Sequence, residues 1–520
     1  MIKITDLTLD EKIGQLLMVG FEGQTLGEST IDMIKKYKIG NIIHFSRNIG
    51  STEQIFKLNK ELQKLIIETT GIPALISVDQ EGGMVTRIYD KATVFPGAMT
   101  IAATDNEYNA YLSGLYMGEE LDALGFNMNF APVLDVNNNP NNPVIGVRSF
   151  SDQPKKVSKY TKAFIDGLQN KVIATGKHFP GHGDTHVDSH LGLPRVDHSL
   201  TRLHEVELVP FKDAISNNIG AIMSAHIIYK ITNDNLPATL SKNALTGLLR
   251  EELKFEGLIV TDGMEMKAIW DNYGEEESAV PAILAGANMV LYCHYEDQQR
   301  RVCELIKKAI LDGTLPIEVL DERVSRILRV KQKLSTHILN QDYALVKDIV
   351  ENDRHKTFSK TVVDGALTLV KGERFIQKGR TLFIGQLPKA TTFADVTDGE
   401  SSAIKLLKEA LTDFEFMNVN VNPTDEEIKN AVNHAKQFKQ VVLTTYNSSS
   451  FQNQLKLINE LVKLDLELQV ISLRNPYDTY HVPAIKNYVC LYEYTLNSIE
   501  TLKAYLLGNL IPEGKCPIHV

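Results

Sequence analysis

Short apolar runs recur along the first two-thirds of the chain, and polar, helix-like segments separate most of them. The eight runs are LLMVGF (16–21), IGNIIHF (39–45), ALISVD (74–79), MNFAPVLDV (128–136), VIATGKHF (172–179), AIMSAHI (221–227), GLIVTDG (257–263) and ANMVLYC (287–293). Continuous apolar runs that alternate with amphipathic helices are typical of buried parallel strands. Eight such units predict a (β/α)8 barrel of the TIM type, and a large open α/β sheet is the alternative that the count leaves open.

A second α/β pattern begins after the amphipathic helix IEVLDERVSRILRVKQKL (317–334), which is expected to close the barrel. Its strand candidates are TLFIGQL (381–387), FEFMNVNV (414–421), QVVLTTY (440–446), LQVISLR (468–474) and NYVCLYEY (487–494). This pattern predicts a smaller αβα sandwich, in which helices cover both faces of a sheet. We therefore expect a barrel domain over 1–335, a linker over 336–360 and a C-terminal α/β sandwich domain over 361–520.

Composition and charge exclude several classes of partner. The chain has 520 residues and a net charge of −10, which argues against non-specific nucleic-acid binding. No apolar run is long enough to span a bilayer, and the N-terminus lacks the pattern of a signal peptide. The four cysteines form no CxxC motif. We expect a cytoplasmic protein, either a monomer or a weak homodimer, that binds neither nucleic acid nor membrane.

The stretch KHFPGHGDTHVDSHLGLP (177–194) carries four histidines at a spacing of four residues: His178, His182, His186 and His190. On a helix that spacing would align the rings on one face, as in many zinc sites. Pro180 and the glycines beside His182 disfavour a helix, so the stretch is predicted to be a loop. A loop rich in His and Asp is more typical of a functional site than of a scaffold, although a plain surface loop is the alternative.

Polar residues also follow the predicted strands, which is where a barrel carries its catalytic groups. They are Asp79, Asp135, Lys177 with His178, His226 and Asp262. Because polar residues follow buried strands in any α/β protein, the position alone assigns no role. Asp262 in VTDGMEM (260–266) is either a rigidly held functional carboxylate or the cap of the next helix.

Two further segments could recognise a polar ligand. VDQEGGMVTR (78–87) combines acidic side chains and Arg87 with two glycines that permit a sharp turn, a set suited to sugar hydroxyls. A solvated turn is the alternative, and the lack of a following GK[ST] excludes a P-loop. The long Asn- and Pro-rich loop PVLDVNNNPNNPVIGVRSFSDQP (132–154) carries Arg148, which could bind an acyl or carboxylate group in a bidentate way.

Together these motifs resemble those of the glycoside hydrolase family 3 β-N-acetylglucosaminidases, most of all the two-domain branch from Gram-positive bacteria. The resemblance covers about residues 5–335 and continues more weakly through SLRNPYD (472–478) and PEGKCPI (512–518). It implies a retaining exo-enzyme that removes non-reducing terminal GlcNAc from β-1,4-linked GlcNAc–MurNAc cell-wall fragments. It also implies a small carbohydrate substrate, such as a GlcNAc-containing disaccharide or a muropeptide. We expect no cofactor and no metal, because the Pro- and Gly-rich histidine stretch lacks the converging ligands that zinc requires.

The same resemblance implies roles for individual residues. Asp262 matches the nucleophile, His190 the acid/base and Asp188 its assistant. The residues that match those holding N-acetylglucosamine are Asp79, Arg87, Arg148, Lys177 and His178. His182 and His186 match no such role and are interpreted as loop residues. Met84 stands where the family usually has Arg in EGGRV, and we expect little catalytic consequence beyond the loss of a rim contact.

The chemistry of the residues agrees with this assignment. Glycosidic cleavage needs a group that protonates the leaving oxygen and later deprotonates water. Histidine, with a free pKa of about 6.5, can do both near neutral pH. Asp188 would fix the tautomer of the ring and stabilise its cation.

Other functions stay open. A phosphorylase fits because a His acid/base would repel phosphate less than a carboxylate, and a β-glucosidase-type activity could use the same scaffold. From another class, a metal-dependent TIM-barrel hydrolase could use the histidine loop, although no HxH pair follows an early strand. A non-catalytic sugar-binding protein would need to have lost the nucleophile or the acid, and both matching positions are intact.

Overall fold

Two sheets organise the part of the chain that this computed structural model describes, which is residues 3–186, 188, 192–387 and 406–519. The strands in these ranges are β1 (Leu17–Val19), β2 (Asn41–His44), β3 (Leu75–Val78), β4 (Met128–Asn129), β5 (Ile173–Phe179), β6 (Arg195–Val196), β7 (Ala221–Ser224), β8 (Ile228–Tyr229), β9 (Leu258–Gly263), β10 (Met289–Tyr292), β11 (Thr368–Lys371), β12 (Thr381–Leu387), β13 (Phe414–Asn420), β14 (Gln440–Thr445), β15 (Glu467–Ser472) and β16 (Asn487–Cys490).

Eight parallel strands close into a barrel in the order β1, β2, β3, β4, β5, β7, β9 and β10, and β10 pairs back onto β1. Each of these strands lies within one of the eight apolar runs of the sequence. The residues of β2, β3, β7 and β10 are all buried, as expected for strands covered on both faces. The TIM-type barrel is therefore confirmed, and the open-sheet alternative is wrong.

Helices follow most barrel strands and continue into the second half of the chain. They are α1 (Leu9–Leu16), α2 (Glu28–Tyr37), α3 (Thr52–Thr70), α4 (Ala98–Ala103), α5 (Glu107–Ala123), α6 (Pro154–Leu168), α7 (Leu200–Glu205), α8 (Val209–Ser216), α9 (Lys267–Tyr273), α10 (Ala279–Ala285), α11 (Glu296–Leu311), α12 (Ile317–Lys331), α13 (Tyr343–Val350), α14 (Asp353–Ala366), α15 (Asp425–Ala435), α16 (Gln452–Leu461), α17 (Asp478–His481) and α18 (Leu496–Leu506), with a π-helix at Asn243–Glu252. Among the described residues, no helix combines the length and apolar character needed to cross a membrane.

Local sequence signals set many of these helix ends. Thr8 accepts a hydrogen bond from Glu11 N at the start of α1, and the Glu11 side chain accepts one from Thr8 N in return. Ser51 caps α3 in the same way, by accepting from Gln54 N. Helix α3 then ends at Gly71, whose φ of 72° suits glycine. Such caps satisfy backbone groups that the helix itself leaves unpaired.

The second sheet has the strand order β11, β16, β15, β14, β12, β13. Its pairs are parallel except for β11 with β16, which is antiparallel. The smaller α/β domain is therefore confirmed, with a mixed sheet. Sequence analysis missed β11, because its four residues, TLVK, follow α14 almost directly and are only half apolar.

Residues 336–360, which we interpreted as a linker, contain α13 and the first part of α14. Both helices contact the barrel through polar groups, and the His355 contact is buried. Tyr343 OH lies 2.6 Å from Thr52 Oγ1, and His355 Nδ1 lies 2.9 Å from Glu120 Oε1. These contacts attach residues 336–360 to the barrel helices α3 and α5. The predicted domain boundaries stay predictions.

Helices α5 and α6 approach each other closely through a reciprocal pair of glycines. A Cβ on Gly114 would lie 2.2 Å from the backbone oxygen of Phe164, and a Cβ on Gly167 would lie 2.1 Å from that of Tyr111. Both distances are shorter than any normal carbon–oxygen contact. The two helices can therefore pack this closely only where side chains are absent.

We predict that Gly114→Ala destabilises the barrel by about 1–3 kcal/mol, because the added methyl forces the two helix backbones apart. Gly247→Ala is the matched control: its Cβ would meet only Lys242 O, at 3.9 Å, and alanine favours helix by about 1 kcal/mol. Thermal unfolding should show a lower melting temperature for the first variant and an unchanged or higher one for the second. Equal melting temperatures for Gly114→Ala and wild type would contradict the close-packing argument.

Candidate active site

A cleft of about 360 Å³ opens at the carboxyl ends of the barrel strands. Six of the eight predicted site residues line it, namely Asp79, Arg87, Arg148, Lys177, His178 and Asp262. Asp79 directly follows β3, Lys177 and His178 lie near the end of β5, and Asp262 lies near the end of β9. The parallel strands thus bring together side chains that are far apart in sequence, at the end of the barrel where catalytic groups collect.

Glu81 forms the centre of a buried ion cluster on one side of this cleft. Its Oε1 accepts hydrogen bonds from Lys177 Nζ at 2.6 Å and from Arg148 Nη2 at 2.8 Å. Its Oε2 accepts from Arg148 Nε at 2.9 Å, so the Arg148 pair is bidentate. Lys177 Nζ also donates to Asp79 Oδ1 at 2.7 Å. We call these four residues, Asp79, Glu81, Arg148 and Lys177, the Glu81 cluster.

The charges of the Glu81 cluster stabilise one another. Burial by itself would raise the pKa of Glu81, but the adjacent Arg148 and Lys177 hold it well below its usual range. Burial would likewise lower the pKa of Lys177, but Asp79 and Glu81 raise it instead. Two carboxylates thus balance two cations, which makes their burial tolerable. The most exposed member is Asp79, whose side chain is 21% exposed and can accept hydrogen bonds from a ligand.

Arg148 reaches the cluster because asparagines shape the loop before it. Asn142 Oδ1 accepts from the backbone N–H groups of Val144 and Ile145, at 2.9 and 2.7 Å. Asn137 Oδ1 accepts from Gly146 N at 3.0 Å, at the start of the 3-10 turn Gly146–Arg148. Side-chain amides that bond nearby backbone groups are the usual reason for asparagine in tight loops.

His178 is oriented by a buried carboxylate. Asp135 lies beyond β4, is fully buried, and has its Oδ2 2.7 Å from His178 Nδ1. It also accepts from the backbone N–H of His182 at 2.7 Å. Burial would raise the pKa of Asp135, but the nearby His178 lowers it. An ionised Asp135 fixes the proton on His178 Nδ1 and leaves Nε2 turned towards Arg148, at 3.5 Å from its Nη2.

Asp262 is held at the mouth of the barrel by the backbone of β9. Gly263 N donates to Asp262 Oδ1 at 2.8 Å, and His226 Nε2 lies 2.9 Å from Gly263 O. His226 Nδ1 in turn lies 2.8 Å from Thr239 Oγ1. Helix α9 begins only at Lys267, after Met266, so the interpretation of Asp262 as a helix cap is wrong.

The histidine-rich stretch differs in part from its prediction as a loop. Its first residues, through Phe179, belong to β5. His182, interpreted as a loop residue without a role, is buried and lines the cleft, and burial lowers its pKa to about 4. Asp188 is buried, and its backbone oxygen accepts from Gly192 N at 3.0 Å. His190, the predicted acid/base, lies outside the described residues.

Asp184, His198 and Glu207 bring their potential ligand atoms within 4.8 Å of one another, beside this stretch. Arg202 lies against the same group, with Nη2 3.1 Å from Glu207 Oε1 and 4.0 Å from Asp184 Oδ2. The guanidinium already supplies positive charge to both carboxylates. The four side chains therefore fit an ion-pair network. That the protein needs no metal stays a prediction.

Met84 lies elsewhere than expected. It is 3% exposed and packs within the hydrophobic cluster of the second domain, where its Sδ accepts a hydrogen bond from Tyr494 N at 3.2 Å. The side chain thus lies in a domain contact, so the expected loss of a contact at the rim of the cleft does not describe its position.

Sequence analysis placed Glu81 among the acidic side chains of VDQEGGMVTR that suit sugar hydroxyls and noted Asp135 after a strand, but it counted neither among the residues of the site. Both are buried hubs that hold predicted ligand-binding residues. Local pattern could not single them out, because Arg148 lies 67 positions from Glu81 and His178 lies 43 positions from Asp135. Their position after a barrel strand was the one signal available.

The barrel gathers buried ion pairs and one strand-held carboxylate at its strand ends, an arrangement that fits the active site of a TIM-barrel enzyme. The chain belongs to glycosyl hydrolase family 3: the N-terminal domain of that family matches residues 8–330. The alternatives of a metal-dependent barrel hydrolase of another class and of a non-catalytic sugar-binding protein are therefore wrong, and the protein is a glycoside hydrolase.

Individual relatives extend the match beyond the barrel. Beta-hexosaminidase A of Pseudoalteromonas piscicida is 35% identical over 407 residues, which cover 71% of this chain and 68% of that protein. A family 3 beta-N-acetylglucosaminidase from Paenibacillus sp. str. FPU-7 superposes with a TM-score of 0.90 at 37% identity, over 99% of both chains. The beta-glucoside phosphorylase BglX superposes with a TM-score of 0.81 at 23% identity and shares the fold.

We predict that Glu81→Gln lowers the free energy of unfolding by about 3–5 kcal/mol, because it leaves two buried cations with one carboxylate. Glu53→Gln is the control, since its ion pair with Lys57 is exposed and contributes little. Thermal or denaturant unfolding measures both effects.

The difference between wild type and Glu81→Gln should also depend on pH. The depressed pKa of Glu81 means that its stabilisation is complete above the unfolded-state pKa of about 4.3 and is lost as the pH falls below it. If Glu81→Gln were as stable as wild type at pH 7, the ion pairs of the Glu81 cluster would not stabilise the fold.

Proposed function

We propose that the protein is a retaining exo-β-N-acetylglucosaminidase that removes non-reducing terminal GlcNAc from β-1,4-linked GlcNAc–MurNAc fragments. The observation that carries the proposal is that Asp262 and the Glu81 cluster line one cleft at the carboxyl end of the barrel. The names of the relatives, a beta-hexosaminidase and a beta-N-acetylglucosaminidase, support the sugar class. The same proposal includes a role in cytoplasmic peptidoglycan recycling.

In the first step, Asp262 attacks the anomeric carbon and forms a covalent glycosyl ester, while the glycosidic oxygen takes a proton from the acid/base. In the second step, the same base removes a proton from water, which attacks the anomeric carbon and releases the sugar and the Asp262 carboxylate. Two displacements at one carbon retain its configuration. The hydrogen bond from Gly263 N would orient the attacking carboxylate.

The Glu81 cluster would hold the sugar. Asp79 offers carboxylate oxygens at the cleft, while Lys177 and Arg148 offer N–H donors. Arg87 and His178 line the same cleft and complete the set of donors and acceptors. Because Glu81 and Asp135 fix these groups before the ligand arrives, little conformational freedom is lost on binding.

His190 with Asp188 would supply the acid/base. Asp188 is buried, so its carboxylate is suited to stabilise an imidazolium two residues further along the chain. A neutral histidine also places no second negative charge beside the nucleophile during the first step. Phosphorolysis by the same pair stays an alternative, and the fold shared with a phosphorylase does not distinguish between the two acceptors.

We predict that Asp262→Asn lowers turnover of an aryl N-acetylglucosaminide at least about a thousandfold, because the amide cannot form the glycosyl ester. The fold should be unchanged, as judged by circular dichroism and melting temperature. Asp271→Asn, an exposed change on α9, is the matched control and should retain full activity. Near-normal turnover by Asp262→Asn would remove this residue from the role of nucleophile.

We predict that His190→Ala strongly lowers the rate at which a natural disaccharide is cleaved. The variant should slow the glycosylation step much less for an aryl substrate with a good leaving group. Protonation matters most when the leaving group is poor. Deglycosylation would then lack its base, so the aryl substrate should give a burst of product, and azide should partly restore turnover.

His186→Ala, in the same stretch, is the control for this prediction and should show neither a burst nor azide rescue. If His190→Ala slowed good and poor leaving groups equally, without rescue, then His190 would be a structural residue and another group would be the acid/base.

A further inference from the structure

The SLRNPYD segment (472–478) of the second domain contacts the loop that carries Arg148. Asn475 Oδ1 accepts a hydrogen bond from Val147 N at 3.0 Å. Tyr477 OH accepts one from Asn137 Nδ2 at 2.6 Å. Both side chains are buried, at 7% and 2% exposure. The hydrogen bonds therefore join the two domains directly behind one wall of the cleft.

These contacts converge on the short turn that ends in Arg148. Asn137 uses its Nδ2 for Tyr477 and its Oδ1 to accept from Gly146 N, so one side chain links the second domain to the turn. Asn475 holds the next peptide, at Val147. Gly146 has a φ of 47°, and a Cβ there would lie 2.3 Å from Asn475 Oδ1. The close approach of Asn475 thus leaves no room for a side chain at position 146.

The second domain holds the SLRNPYD segment rigidly. Ser472 Oγ donates to Asn475 O at 2.9 Å. Asp478 is fully buried and accepts from Thr445 Oγ1 at 2.5 Å and from Tyr488 OH at 3.1 Å. Strands β14, β15 and β16, which supply or border these groups, are neighbours in the sheet. The position of Asn475 is therefore set by the central part of that sheet.

The other partner of the bidentate ion pair is supported from the same side. Glu81 begins the turn that continues to Met84, whose Sδ accepts from Tyr494 N. Glu493 Oε2 accepts from Gly97 N at 2.8 Å and lies 3.3 Å from where a Cβ on Gly83 would be. The second domain thus contacts both segments that the Glu81–Arg148 pair joins.

We propose that Asn475 and Tyr477 are positioning residues for the glycosidase reaction, which act by holding the Arg148 turn in the geometry that binds the sugar. The second domain then contributes to substrate affinity although the residues that line the described cleft belong to the barrel. The inference rests on the proposed function, in which Arg148 contacts the N-acetylglucosamine unit.

The test is Tyr477→Phe, which removes one hydroxyl and keeps the ring that packs in the interface. Loss of one buried hydrogen bond should raise KM for an aryl N-acetylglucosaminide about three- to tenfold, with kcat changed less than about twofold. Tyr505→Phe is the matched control: its hydroxyl accepts from Phe375 N at 2.8 Å, and that partner lies within the second domain. This control should lower the melting temperature to a similar extent and leave KM unchanged.

A double-mutant cycle with Arg148→Lys separates positioning from general loosening of the domains. If Tyr477 acts through Arg148, then Tyr477→Phe should change KM much less in the Arg148→Lys background than in wild type. Additive effects would contradict the positioning role. A raised KM in Arg148→Lys with a normal KM in Tyr477→Phe would overturn the positioning role alone. A normal KM in Arg148→Lys would contradict both this role and the proposed function.

Discussion

The site depends on one buried carboxylate, Glu81, that neutralises two cations at once. Without it, Lys177 and Arg148 would face each other across the cleft wall with only Asp79 to balance them. With it, the turn after β3, the loop after β4 and the end of β5 are joined by charge-assisted hydrogen bonds. Because two carboxylates and two cations sum to zero, the cluster can stay ionised while buried and present fixed donors and acceptors to a sugar.

The rest of the molecule supports this arrangement from two directions. Within the barrel, the parallel strands bring Asp79, Lys177 and Asp262 to the carboxyl end, because all the strands run in the same direction. Outside the barrel, the second domain packs against the turn that contains Met84 and against the turn that ends in Arg148. The Asp262 side of the cleft is instead built from barrel residues, because His226 and Gly263 both belong to the barrel. The second domain thus supports the Glu81 cluster, whereas the described contacts around Asp262 lie within the barrel.

Sequence reasoning recovered what local pattern determines. The eight barrel strands were predictable because strands covered on both faces are continuous apolar runs, whereas the short edge strand β11 has no such signal. The position of Asp262 at a strand end could be predicted from the sequence, but its hydrogen bond with Gly263 N could not. Its proposed role as nucleophile came only from the family resemblance. The roles of Glu81 and Asp135, the buried position of His182 and the domain contact of Met84 depend on long-range pairing, which spacing along one chain does not encode.

The central claim is that Asp262 becomes covalently glycosylated during turnover. The most direct measurement is to trap that ester with a 5-fluoro analogue of an N-acetylglucosaminyl fluoride, which carries a good leaving group and slows the second step, and to map the adduct by peptide mass spectrometry. The account predicts one sugar unit per chain, attached to the peptide that contains VTDGMEM, at Asp262. Turnover of the analogue without any adduct, or an adduct on another residue, would contradict it, since a substrate-assisted reaction would leave Asp262 unmodified.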